Sequence, residues 1–309
     1  MAETTSSRKF KFKDLPSLLK EPFKAWNDDD PWRLSAVVAY YAILSLPALL
    51  IIIINTVGAV WGPEIVQGNL TDEISAALGQ DAAESIKSII SNTQGGNKST
   101  ISTIIGIATL IFGATGIFYH LQISLNEIWS IRVKPKSNIL KLIIDRARSF
   151  GFGLVIGFLL LVSFILTTAI SVLNDYLSML WADAILYLAY VTNILLSVGI
   201  ISVLFALMFK YLPDAKIRWK TVWIGSIITS SMFVLGKFLL SLYFGKSDPG
   251  STYGAAGSIV LILLWVSYSC LILFFGAEFT SVYAKRYGIG IQPNSNAVIV
   301  EKREVEIKE

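Results

Sequence analysis

The sequence predicts an all-α polytopic membrane protein, a six-transmembrane-helix bundle with its N- and C-termini cytoplasmic. Three observations predict it. Hydrophobic residues make up 54% of the chain and charged residues only 16%, whereas soluble domains carry about a quarter charged residues. Six apolar runs are long enough for the roughly 20 residues that a spanning helix needs. The basic residues are also partitioned. Of the 26 Lys/Arg, 22 fall in segments that six spans place on one side, three (Lys87, Lys98 and Lys246) fall on the other, and Lys237 lies inside a span. The positive-inside rule makes the basic side cytoplasmic.

Residues 1–30 read as a cytoplasmic amphipathic segment. It opens without an apolar core of the signal-peptide kind, so no cleavable signal peptide is expected. Leu15, Leu18, Leu19, Phe23 and Trp26 recur at near-helical spacing among Lys13, Lys20 and Lys24. That pattern suits a helix lying on an anionic membrane face, and equally one packed on the cytoplasmic end of the bundle. Pro22 is expected to bend it.

Residues 31–287 form one six-helix domain. Asp30-Pro31 is a helix start, with Asp as N-cap and Pro at the first helical position. The spans run over about 34–61, 99–131, 149–173, 184–211, 219–244 and 253–283. Pro47 is expected to kink the first of them. Residues 62–98 form an external loop with short helices at Thr71–Leu78 and Asp81–Asn92. Residues 288–309 are polar and charged, and read as a disordered cytoplasmic tail.

The stretch Thr103–Ile131 reads as the polar spine of the bundle. Gly106, Thr109, Gly113, Gly116, His120, Ser124 and Glu127 share one face at 100° per residue. Small residues there admit a neighbouring helix, and polar ones need partners away from lipid. Counted from the cytoplasmic ends, Glu127 lies roughly 7 Å deep, Tyr40 and Glu278 roughly 10 Å, His120 roughly 15 Å and Lys237 about 25 Å. His120, Glu278 and Tyr40 are thus expected at one level. Glu127 has an ordinary ion-pair explanation through Arg132, Arg146 or Arg148, and Lys237 one through snorkelling to the external headgroups. Interhelical hydrogen bonding would explain His120. Glu278, within Phe274-Phe275-Gly276-Ala277-Glu278, is the hardest to explain as structure alone.

Several activities lack their residues. With one His and one Cys, a His- or Cys-based metal site is not expected, and no cofactor is. There is no H-E-x-x-H, Walker-type loop or G-x-S-x-G. Sparse basic residues without interleaved aromatic platforms argue against nucleic-acid binding. The chain reads as a non-enzyme.

Four motifs resemble the YihY/virulence factor BrkB family, over about Pro31 to Arg286. Ser35 to Pro47, S-A-V-V-A-Y-Y-A-I-L-S-L-P, is similar to the family's Ala-Tyr-Tyr first helix, with Pro47 one residue early. Leu125-Asn126-Glu127-Ile128-Trp129 resembles its Leu-Asn-x-Ile-Trp motif, and Tyr211-Leu212-Pro213 with Trp219 its Tyr-x-Pro…Trp junction. Tyr253-Gly254-Ala255, Leu264-Trp265 and Gly276-Ala277-Glu278 resemble its last helix. The resemblance implies a six-span protein of the bacterial plasma (inner) membrane, with links in the family to serum resistance and to lipid or lipopolysaccharide export. Part of the family was labelled ribonuclease BN, an activity these residues do not support.

The resulting expectation is a transporter-like protein for an amphipathic or anionic solute, in contact with membrane lipids. Its cytoplasm-facing cavity would be lined by Tyr40, His120, Asn126, Glu127 and Glu278, with Lys237 higher on the path. The alternative is a non-transporting scaffold of the cell envelope whose polar residues join helices. The sequence leaves the oligomeric state open.

Overall fold

A computed structural model describes residues 14–62, scattered positions between 64 and 88, and residues 116–134, 184–247 and 257–301. The third expected span, the outer half of the second, the basic loop after Lys134 and the final eight residues lie outside these. In chain order the described elements are α1 (Leu15–Asp28), α2 (Pro31–Trp61), α3 (116–128) and β1 (Ile131–Val133). There follow α4 (Ala184–Tyr211), β2 (Ala215–Lys216), α5 (Trp219–Ser247), α6 (Gly257–Tyr287), β3 (Gln292–Pro293) and β4 (Ala297–Ile299).

The protein is helical and built for a membrane. Among the described residues, Ile194–Tyr211, Trp219–Leu240 and Ile259–Tyr287 are each long and apolar enough to cross one. Their outward faces are apolar too: Leu195 on α4, Leu235 and Phe238 on α5, and Val37 and Leu44 on α2 are all exposed. An apolar exterior on this scale needs lipid rather than water around it. α2 is helical from Pro31 through Pro47 to Trp61, and every described position between 64 and 88 is helical as well.

Among the described residues α6 is a packing hub. α6 packs against α1, α2 and α5, while α4 packs against α5. Every residue from Cys270 to Ser281 is buried. Its contact with α5 is reciprocal. A Cβ on Gly225 would overlap the Thr280 side chain, and one on Gly276 would overlap that of Thr229. Each threonine hydroxyl donates to the carbonyl four residues back, Thr229 to Gly225 at 2.7 Å and Thr280 to Gly276 at 2.6 Å. The hydroxyls are therefore satisfied within their own helices, and the glycines let the two backbones close. An aromatic row (Trp129, Phe209, Phe205, Phe233 and Trp265) links α3, α4, α5 and α6 with centroids 5.7–6.4 Å apart.

The segment after Tyr287 is ordered through Glu301, contrary to the disordered tail expected of it. β4 pairs antiparallel with β1 (Arg132 opposite Val298), and β3 pairs with β2 (Ala215 opposite Pro293). Further bonds run from Lys134 N–H to Asn296 O at 2.9 Å and from Val300 N–H to Ser130 O at 2.8 Å. Charge and polarity suggested disorder. Backbone pairing to two loops, which leaves no hydrophobic period in so short a strand, is what orders the segment.

Candidate functional site

Polar side chains gather where α3 and α6 end and α5 begins. Gln122 and Asn126 stand one turn apart on α3, so both face the loop that joins α4 to α5. There Asp214 accepts from Gln122 Nε2 at 2.9 Å and from Asn126 Nδ2 at 3.1 Å, both on Oδ2. Its own N–H donates to Asn126 Oδ1 at 2.8 Å, and its carbonyl accepts from Asn294 N–H at 2.9 Å. All three side chains are buried. The Asn126 amide thus reads both the carboxylate and the backbone of one residue. This clamp fixes the loop to α3 and to the tail, and it supplies the donors that a buried carboxylate requires.

The loop holding Asp214 is braced at both ends. Lys210 Nζ donates to Ile217 O at 2.6 Å and sits 5.6 Å from the centre of the Trp219 ring. Tyr211 meets that indole edge-on at 6.0 Å. Trp129 Nε1 donates to Ala277 O at 3.0 Å, tying the end of α3 to α6.

A second cluster joins α2 to α3. Arg33 donates from Nη2 to Glu127 Oε1 at 2.9 Å and from Nε to Asp30 Oδ2 at 3.2 Å. The hydrogen bond and charge of Glu127, helped by Asp30, raise the Arg33 pKa further, so the guanidinium stays charged. Above this pair, Tyr41 of α2 stacks on His120 at 3.7 Å, and Tyr119 approaches the imidazole edge-on at 5.4 Å.

The expected site residues therefore divide. Asn126 is buried, but in the Asp214 clamp. Glu127 pairs with Arg33, while Arg146 and Arg148 lie outside the described residues. His120 is half-buried against Tyr41, and Glu278 is buried in α6 at 4% exposure. Tyr40 is 58% exposed and touches Tyr41 edge-on at 5.3 Å, and it is Tyr41 that reaches His120. Lys237 is exposed on α5 among the outward Leu235, Phe238 and Leu239, away from the other polar groups, as a snorkelling lysine would be. Pro47 lies within a continuous helix, and its side chain is outside the described ones.

Sequence reasoning missed Gln122, Asp214, Arg33 and Tyr41. Two had a usable signal: Gln122 precedes Asn126 by one turn on the same face, and Asp214 directly follows Tyr211-Leu212-Pro213.

Apolar-faced helices closed at one end by a buried polar clamp define a helical membrane protein. The profile of the Virulence factor BrkB family matches residues 23–298, and the chain belongs to that family. Curated relatives include a UPF0761 membrane protein of Albidiferax ferrireducens, 28% identical over 60% of this chain and 43% of that protein. Another UPF0761 membrane protein, from Alteromonas mediterranea, is 24% identical over 79% of each chain. A Bacillus subtilis protein with a ribonuclease-like name, YfkH, is 23% identical over 87% of this chain and 96% of its own. The chain spans less than half the length of several of the curated relatives it matches. No solved structure matches.

Proposed function

We propose that the protein is a non-enzymatic, six-span protein of the bacterial inner membrane that moves or gates an amphipathic or anionic solute. Both termini, and with them the clamped end of the bundle, face the cytoplasm. One observation carries the reading: Glu278 lies at 4% exposure within the buried run of a helix apolar enough to span a membrane. A carboxylate there is costly unless it faces a partner, a cavity or a passing solute. His120 and Tyr41 supply an imidazole and a phenol on the neighbouring helices.

Orientation rests on the partition of basic residues. The ribonuclease-like name of one relative is not carried over, because a single His and a single Cys leave few metal ligands beyond scattered carboxylates.

A scaffold is the second reading, and the Asp214 clamp favours it, since Asn126 serves there as a fastener. The experiment that separates the two is Glu278→Gln, an isosteric change, assayed by complementation of a deletion strain at matched expression. Loss of complementation with normal membrane insertion fits transport. Full complementation rejects it and leaves the scaffold. Impermeant thiol labelling of Lys136→Cys in intact cells tests the orientation, and labelling without permeabilisation would reverse it.

A further inference from the structure

α1 uses only part of its circumference to hold the bundle. Leu18, Pro22 and Trp26 recur every fourth residue and turn toward α6, where Trp26 Nε1 donates to Leu271 O at 3.2 Å. On its far flank, Arg286 of α6 bonds Ser17 and Glu21. Between these two lines of attachment a second face stays open. Leu19 and Phe23, one turn apart, are 47% and 57% exposed. Lys20 and Lys24, also exposed, stand about 100° further round on the side away from α6.

The order around the helix is therefore α6-facing, apolar, basic and then acidic, with Glu21 at the acidic edge held by Arg286. We infer that the open face of α1 seats in the headgroup layer of an anionic leaflet, Leu19 and Phe23 entering the acyl boundary and Lys20 and Lys24 meeting lipid phosphates. Two features select lipid over another protein. The apolar stripe is tied to a helix long and apolar enough to cross a membrane, because Phe23 packs on Trp26 at 5.6 Å and Trp26 on the buried Phe275 of α6 at 6.4 Å. The lysines adjoin that stripe with stems long enough to reach phosphate while their upstream carbons stay apolar. Each such lysine adds attraction to an anionic surface, and the effect fades within a Debye length.

The test uses the full chain in bilayer nanodiscs of phosphatidylcholine, with and without phosphatidylglycerol. Single cysteines at Leu19, Phe23 and, on the opposite side of α1, Asp28 are spin-labelled in a Cys270→Ala background. Labels at 19 and 23 are expected to collide preferentially with oxygen, and the label at 28 with an aqueous nickel chelate. Adding Lys20→Gln and Lys24→Gln should remove the extra shielding that phosphatidylglycerol provides. Labels at 19 and 23 as open to the chelate as that at 28, in both lipid mixtures, would overturn the inference. So would shielding from both reagents, which means a protein surface covers the face.

Discussion

Tyr41 and His120 lie face to face, ring centroids 3.7 Å apart and planes 17° from parallel. Gly116, one turn before His120, makes the room, since a Cβ there would come within 3.3 Å of Tyr41 Cδ1. About two turns away the same helices are joined again by Arg33 and Glu127. The two contacts run in opposite chain directions, so α2 and α3 are antiparallel neighbours fixed at two points. The small-residue face that the sequence shows on α3 is thus partly a slot for a tyrosine.

Breaking the stack should have a graded effect. An aromatic pair contributes about 0.5–1.5 kcal/mol beyond its buried area. Tyr41→Phe should keep most of this, whereas Tyr41→Leu should lose it and lower the thermal midpoint in detergent. Combined with His120→Leu, the two losses should be less than additive. Strict additivity would mean the rings do not interact.

At the α5–α6 contact, Gly276→Ala should destabilise by about 1–3 kcal/mol, the usual consequence of overpacking a tight site. The added methyl falls on the Thr229 side chain. Thr229→Ala in the same protein should recover part of the loss by removing the overlapping hydroxyl and methyl. A double variant no better than Gly276→Ala alone would place the strain elsewhere.

Asn126 was expected to line a cavity and is found bonding both ends of Asp214. Asn126→Ala orphans a buried N–H and one carboxylate bond, and should cost about 1–3 kcal/mol. Asn126→Asp should be worse, because it sets a second carboxylate against the first. Urea or thermal unfolding of the purified protein reads both. Asn126→Ala with unchanged stability but lost complementation would return the residue to a solute path.

The helical membrane class was legible because apolar runs and basic loops report directly on lipid and topology. Helix starts were legible where chain chemistry is local: Pro31 is the first residue of α2. Partners were not. Glu127 bonds Arg33, 94 residues away, and adjacent Tyr40 and Tyr41 differ in which side of α2 they occupy. The sequence shows such residues need partners, but helix rotation decides which ones meet. The ordered tail was illegible for a related reason, since its order comes from loops distant in the chain.

The tail carries the last prediction. Its strands hold β1, which follows α3, and β2, which lies between α4 and α5, and Asn294 N–H adds a bond to the carbonyl of Asp214. Ending the chain after Tyr287 removes all of these while leaving α6 complete. β1 and β2 then have no strand partner among the described residues, and the Asp214 clamp loses its third attachment. Backbone amides of residues 131–134 and 214–217 should exchange hydrogen faster, with little change in the middle of α6. Ending the chain after Glu301 should leave those amides protected, because every pairing described lies before it. Equal protection in both truncated proteins would show that the loops hold their shape without the tail.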